Sequence, residues 1–267
     1  SYNCLPGWSN KAPLRHLMTQ YAGRVGGNVK SKVDAIKIFL DGLKDAQFQF
    51  MTSNPSAITM TDKLKNHTPN YIAHEYLNAD WNLFYSNEIA QDMKSAKLNF
   101  AASATMLENA DEANYDQKML EKIRQEPDSD MRELLKDFAK NRQFRRDIFV
   151  KGLRSYDTNE IIQLKESVSY ALYTPRQACN LHVELSIGKI DLSEEVYKPI
   201  LDALAQSPQS IEQLLAITKH PLALIVNAMS ILIGLGYAIY FSTNVTKATE
   251  QACKKFNKVV LERNLLG

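Results

Sequence analysis

Residues 69–85 read Pro-Asn-Tyr-Ile-Ala-His-Glu-Tyr-Leu-Asn-Ala-Asp-Trp-Asn-Leu-Phe-Tyr, the densest polar and aromatic stretch of the chain. Thr68-Pro69 opens it with an element boundary, because the residue before a proline is pushed out of the α region. On one continuous helix, Tyr71, His74, Asn78, Trp81 and Tyr85 would fall at three-to-four spacing along a single face. Two readings of that face stand side by side. Tyr, His and Asn offer directional hydrogen bonds and Trp a face for a cation, so the wall would line a groove for a substrate side chain. Alternatively, the same groups form a buried hydrogen-bonded network that fixes a helix junction. Asp80 and Ser86 argue against an unbroken helix. Ser86 itself predicts an N-cap, with Glu88 in the first turn. Ile89, Met93, Ala96, Leu98 and Phe100 form the expected buried stripe, and that helix is expected to run to about Leu107.

Helical signals extend outward in both directions. Leu14, Leu17, Met18 and Tyr21 repeat at helical spacing. Gly23, Gly26 and Gly27 break the chain, and Val33, Ile36, Phe39, Leu40 and Leu43 mark a second amphipathic helix. Thr61 to Asn66 reads as a short helix. On the other side, residues 115–125 form a helix. Ser129 is expected to cap the next one, with Met131, Leu134, Leu135 and Phe138 facing inward. Arg142, Arg145 and Arg146 then form a basic cluster, read either as a solvated or salt-bridged helix end or as a site for an acidic partner.

The pattern changes after Asp157. Val168, Tyr170 and Leu172 alternate with Ser169, Ala171 and Tyr173. Leu181, Val183, Leu185 and Ile187 alternate with His182, Glu184 and Ser186. This period of two predicts strands. Helices follow from Ser193, Ser210 and Pro221. Gly234-Leu-Gly236 turns into a strand at Tyr237 to Phe241, and residues 247–264 form a last charged helix. Three helices and a strand in that order give a winged-helix outline. The predicted class is mainly α: a helical domain followed by a small winged-helix-like α+β domain.

Bulk properties exclude several functions. The chain has 267 residues, 45% hydrophobic and 23% charged, which is globular and not disordered. A formal charge of +2 gives no strong field toward nucleic acid or membrane. Cys4, Cys179 and Cys253 are sparse and show no metal spacing, which suggests a reducing, cytoplasmic compartment. The apolar run Pro221 to Phe241 reads as a buried helix plus strand, not a membrane span.

No catalytic motif emerges. A nucleoside-cofactor cradle needs a Gly-rich turn directly after a strand. Gly23–Gly27 follows a helix, and Gly234–Gly236 lies between an apolar helix and an apolar strand. His74-Glu75 begins like a zinc-protease helix, but the second ligand position holds Asn78. No nucleophile elbow is present. The helix Leu222 to Leu232 has only Asn227 and Ser230 as polar side chains, so DNA reading is not expected from it. No catalytic, cofactor-binding or metal-binding residue is assigned.

The run Pro69 to Asn78, with Trp81-Asn82, Phe84-Tyr85 and Lys97 to Ala104, resembles the methyltransferase regulatory domain. That domain belongs to a bacterial family that includes protein-lysine methyltransferases. Ser1-Tyr2-Asn3-Cys4-Leu5-Pro6-Gly7-Trp8 is similar to the segment leaving the last strands of that family's Rossmann-like core, and Phe144 to Gly152 to its closing basic segment. The resemblance implies a parent that uses S-adenosylmethionine, with its catalytic core upstream of Ser1. A strand at Tyr2 needs neighbours, and these too are expected upstream. The expected organisation is a core tail with linking helices (1–60), the helical regulatory domain (61–157), a β-rich connector (158–192) and the winged-helix-like domain (193–267).

The function expected is regulation or substrate recognition for that parent. Its partners would be the upstream core and a protein substrate, with neither membrane nor nucleic acid. A free-standing winged-helix interaction or transcription-regulatory protein is the alternative. Tyr2, Asn3, Tyr71, His74, Glu75, Asn78, Trp81 and Tyr85 are the candidate substrate-binding residues. Tyr2 and Asn3 earn their place because ligands of open α/β sheets bind beyond strand ends.

Overall fold

A computed structural model describes residues 1–152, 154, 160, 168–185, 188–242 and 246–263. It is mainly α with small sheets, and the chain divides into two compact units. The first comprises Ser1–Ala104 and Lys118–Leu153, the second Thr105–Gln117 and Arg154–Gly267.

The first unit opens with β1 (Tyr2–Cys4) and continues into α1 (Ala12–Ala22), α2 (Val29–Asp45), α3 (Gln49–Ser53), α4 (Pro55–Lys65) and α5 (Pro69–Tyr76). Asn28 caps α2 by accepting from the Ser31 N–H at 3.0 Å, so the glycine break turns directly into a helix start. Thr68 does the same for α5 through the Tyr71 N–H, with Pro69 in the first turn, where its missing donor is harmless. The apolar stripes of these helices meet in one core around Leu14, Met18, Ile36, Leu40, Leu64 and Ile72. Burying each large aliphatic side chain contributes about 1.5–3 kcal/mol.

After β2 (Leu83–Phe84) comes α6 (Ser86–Ser95), much shorter than its apolar pattern suggests. The helix ends because Lys97 turns left-handed, at φ 61°. Residues expected to prolong it form β3 (Leu98–Ser103) instead, where Leu98 and Phe100 pair with a later strand. The remaining elements of this unit are α7 (Gln117–Gln125), α8 (Ser129–Lys140), β4 (Phe144–Arg145) and β5 (Asp147–Lys151).

Two further expectations fail at α8. Its cap is Asp128, not Ser129, and accepts from the Met131 N–H at 2.8 Å. The inward face is also reversed in part: Asp137 is fully buried, while Met131 and Phe138 are 40% and 55% exposed. An ion pair, described below, draws the aspartate in.

The neighbours of β1 come from within the chain. It runs parallel to β2 and antiparallel to β4, in the order β2-β1-β4. The Gly7 backbone then passes so close to α8's exit that a Cβ there would lie 2.3 Å from the Asn141 carbonyl oxygen. Only glycine fits that approach.

The second unit holds β6 (Val168–Leu172), β7 (His182–Leu185), β8 (Gly188–Asp191), α9 (Glu194–Gln206), β9 (Gln209–Ser210), α10 (Ile211–Thr218), α11 (Leu222–Gly234), β10 (Ala238–Ser242) and α12 (Lys247–Glu262). Both predicted strand regions are present, although Ser186 and Ile187 lie outside the described residues. β6 is central in a three-stranded sheet with β10 and β9, and β7 and β8 form a hairpin. Ser210 and Gln213 form a reciprocal capping box at 3.2 and 2.7 Å. Ile200, Leu201, Leu214, Ile225 and Leu232 make the core.

Residues 105–117 add two 3-10 turns, Met106–Asn109 and Asp111–Ala113, to this second unit. The buried Asn114 amide donates to the Leu107 and Ala110 carbonyls, both at 2.7 Å, and holds the turns together. No single helix among the described residues is long and apolar enough to cross a membrane. The α10–α11 pair carries such apolar length only across a 114° bend, and its Leu214, Ile225 and Leu232 belong to the core.

Candidate functional site

Side chains alternate along β1, so Tyr2 and Cys4 share the face on which Arg145 of β4 lies opposite Tyr2. Helix α8 brings Glu133 and Asp137 to the same place, one turn apart. Arg145 is 2% exposed and uses its whole guanidinium. Nη1 donates to Asp137 Oδ1 at 2.7 Å, Nη2 to Glu133 Oε2 at 2.7 Å, and Nε to Asp147 Oδ2 at 2.9 Å. Arg142 adds a second cation, with Nε 3.2 Å from Asp137 Oδ1. Tyr2 donates its hydroxyl to Asp147 Oδ2 at 2.8 Å, and the Cys4 thiol approaches Asp137 Oδ2 at 3.4 Å.

The environment fixes the protonation states. Burial, reinforced by the Asp147 carboxylate and opposed by Arg145, pushes the Tyr2 phenol far up. Burial and the adjacent Asp137 do the same to the Cys4 thiol. Tyr2 therefore remains a neutral donor. Cys4 is not a nucleophile, because the thiolate is the reactive form. Burial raises Asp137, with Arg145 pulling against it. For Glu133, the upward push of burial is overcome by Lys136 and Arg145, so its carboxyl lies below the ordinary range. Burial lowers Arg145, but Asp137 and Asp147 outweigh it and lock the guanidinium in its charged form.

The 69–85 segment reaches this knot at its end, where β2 pairs with β1 and Phe84 meets Tyr2 edge-on at 6.2 Å. It is helix, turn and strand, not one continuous face. α5 ends at Tyr76, and Asn78 Oδ1 accepts from the Asp80 N–H at 2.9 Å to form the turn. Tyr71, His74, Glu75 and Asn78 are exposed, and His67 stacks on Tyr71 at 4.3 Å. Trp81 instead turns toward the helical core, edge-on to Trp8 at 4.9 Å. Its face is covered by a cation from the chain itself: the Arg15 guanidinium lies 4.2 Å from the ring centroid and also donates to the Asn78 carbonyl. Tyr85 is half-buried at the start of α6.

The eight sequence candidates therefore form no single wall. The structure groups Tyr71, His74, Glu75 and Asn78 on a solvent face, Trp81 with Arg15, and Tyr2 with the Arg145 knot. Asn3 points to the opposite side of β1 from Tyr2. Sequence reasoning missed Arg145, Asp137, Glu133 and Asp147 as a unit. The available signal was Glu133 and Asp137 at helical spacing, followed by an arginine between a phenylalanine and an arginine in a short strand.

Gly23, Gly26, Gly27 and Gly234 do not build a nucleoside cradle. Gly23, Gly26 and Gly27 lie between two helices, where Gly27 packs on Ser31. A Cβ at Gly234 would lie 2.7 Å from Leu107 Cβ, so that glycine serves helix packing. These turns do not fit S-adenosylmethionine.

Residues 68–151 match the family model described as a predicted methyltransferase regulatory domain. An uncharacterized protein of Synechocystis sp. (strain ATCC 27184 / PCC 6803 / Kazusa) is 32% identical over 269 residues, spanning 99% of this chain and 53% of that protein. An uncharacterized protein of Rickettsia prowazekii (strain Madrid E) is 25% identical over 146 residues, 54% of this chain and 26% of that protein. PKMT2 from Rickettsia typhi in complex with AdoHcy aligns with a TM-score of 0.60 at 20% identity, over 91% of this chain and 51% of that one. A second PKMT2 structure gives 0.58 at 18% identity over the same shares. At these identities the likeness is one of fold. The chain spans about half of the Synechocystis protein and of PKMT2, and about a quarter of the R. prowazekii protein. The family match is confined to residues 68–151 of the 267.

Proposed function

We propose that the chain is the regulatory and substrate-recognition part of an S-adenosylmethionine-dependent methyltransferase that acts on protein lysines. The observation that carries this reading is the family match over 68–151. Support comes from the fold shared with PKMT2, which is solved in complex with AdoHcy, the product left when S-adenosylmethionine gives up its methyl group. The catalytic core would be a separate part, and the glycine turns above are consistent with that division of labour. The winged-helix-like description of the second unit belongs to the same proposal.

Within this reading, Tyr71, His74, Glu75 and Asn78 meet the substrate, because they share an exposed face of α5 and the turn after it. Asn3 is the strand-end candidate. Tyr2, held by Asp147, shapes the strand that carries Asn3. Trp81 supports the face from behind through Arg15.

Methyl transfer to a protein substrate tests the proposal, using a two-part reconstitution. The part of the Synechocystis relative that this chain does not span is supplied as the candidate catalytic half, with and without this chain, and isotopic methyl incorporation is read. Transfer should require both parts, and H74A/N78A should lower it at least tenfold while leaving the fold intact by circular dichroism. Full transfer by the catalytic half alone would refute the recognition role.

A further inference from the structure

The face that Trp81 would offer a ligand is taken by a group of the chain itself, and that group is poorly satisfied there. Arg15, half-buried on α1, lays its guanidinium 4.2 Å from the Trp81 ring centroid. Its Nη2 donates to the Asn78 carbonyl. Its Nε is buried and has no hydrogen-bond partner among the described residues. Burial alone acts on its charge, with no carboxylate to offset it, and draws its pKa below the usual arginine value. A desolvated donor left unpaired is a standing cost, so the contact holds Arg15 weakly. A ring face and one carbonyl can hold any cation, and they make no use of the guanidinium's remaining donors.

The surroundings fit a lysine. Residues 69–85 carry Glu75 and Asp80 and no lysine or arginine. Both carboxylates are exposed, and neither has an ion-pair partner among the described residues. They flank Asn78 along the chain. Rings lead from the exposed face of α5 to the site. Tyr71 meets Tyr76 at 6.5 Å, Tyr76 meets Trp8 at 6.1 Å and Trp8 meets Trp81 at 4.9 Å, all edge-on. An aliphatic stem finds apolar surface along them. A lysine ammonium is a compact charge with freely turning donors, so it can face the ring and a carbonyl together.

We propose that the face of Trp81 and the Asn78 carbonyl form a binding site for a lysine side chain of the protein substrate, with Arg15 as a built-in competitor that the lysine displaces. Glu75 and Asp80 draw the lysine in. Its ammonium donates to the Asn78 carbonyl over the ring, and Arg15 returns to water, where all its donors are satisfied. This role for Trp81 rests on the recognition function proposed above. It adds the group that is recognised and the contact that holds the site shut.

Titration of Nα-acetyl-lysine methylamide into the 267-residue chain tests this, read by the indole N–H signals in proton NMR at constant ionic strength. Trp8 and Trp81 are the chain's two tryptophans, and the Trp81 signal is assigned by its loss in Trp81→Phe. That signal should shift saturably at millimolar probe. Arg15→Ala removes the competitor and should tighten binding about threefold or more. Arg15→Gln is the second such variant should Arg15→Ala misfold by circular dichroism. Arg15→Lys keeps a competing cation and should stay near the wild-type affinity. The same probe acetylated on Nε has lost its charge and should leave the signal in place. A Trp81 signal indifferent to lysine, equal affinity with and without the Arg15 charge, or a shift driven by acetate instead of lysine overturns the proposal. Methyl transfer that survives H74A/N78A speaks against the recognition function alone. Lysine binding at Trp81 is read without transfer, so the two failures are told apart.

Discussion

The two units bury different things. Among the described residues, the buried charged side chains Asp137, Arg142 and Arg145 all belong to the first unit, while the second buries only the uncharged polar Asn114 and Gln209. The second unit follows the simple rule of apolar stripes packed inward. The first adds a knot in which three carboxylates converge on one guanidinium. An apolar core loses stability in proportion to the volume removed, but a buried ion knot fails when any one partner is taken away, since the remaining charge stays desolvated.

Breaking that contrast gives the largest effect. Arg145→Ala leaves Asp137 and Asp147 buried without their main cation, and should cost about 3–5 kcal/mol in chemical denaturation. Trp8 and Trp81 both lie in the first unit, so tryptophan emission follows this loss. Leu201→Ala in the second unit should cost about 2–5 kcal/mol through the cavity it leaves, with no added pH dependence. A pH-dependent loss there would erase the distinction between the units.

Gly7→Ala comes next. Its methyl would meet backbone oxygen, which cannot yield as a flexible side chain can, and a loss of roughly 1–3 kcal/mol is expected by thermal denaturation. Glu133→Gln is the smallest and sharpens the comparison by pH. Glu133 is lowered in the folded state, so its stabilisation is present above the ordinary glutamate range and is lost as pH falls through the lowered value. The variant should therefore be less stable by about 1 kcal/mol near neutral pH. The two denaturation curves should converge in acid.

Much of the scaffold was legible in local pattern. The stripes of α1 and α2, the Ser210 cap and the period-two strand at 168–172 all rest on signals within a few residues of each other. What was hidden depends on distant partners. Nothing near Lys97 announces a left-handed residue, so Leu98 and Phe100 read as helix until Asp147–Lys151 supplies a strand to pair with. Asp137 reads as a solvent residue and Phe138 as core until Arg145 is placed beside β1. The neighbours of β1 are more than seventy residues away in sequence. The candidate site was legible as a stretch, 69–85, but not as a surface. Asn78 bends the chain there, and Arg15, from a different helix, takes the face of Trp81 that composition alone offers to a ligand.

The central claim is that this chain recognises and does not itself hold the methyl donor. Isothermal titration of S-adenosylmethionine into the purified chain tests it most directly. No binding heat should appear at donor concentrations up to the millimolar range. Saturable one-to-one binding by this chain alone, at micromolar affinity, would contradict the account.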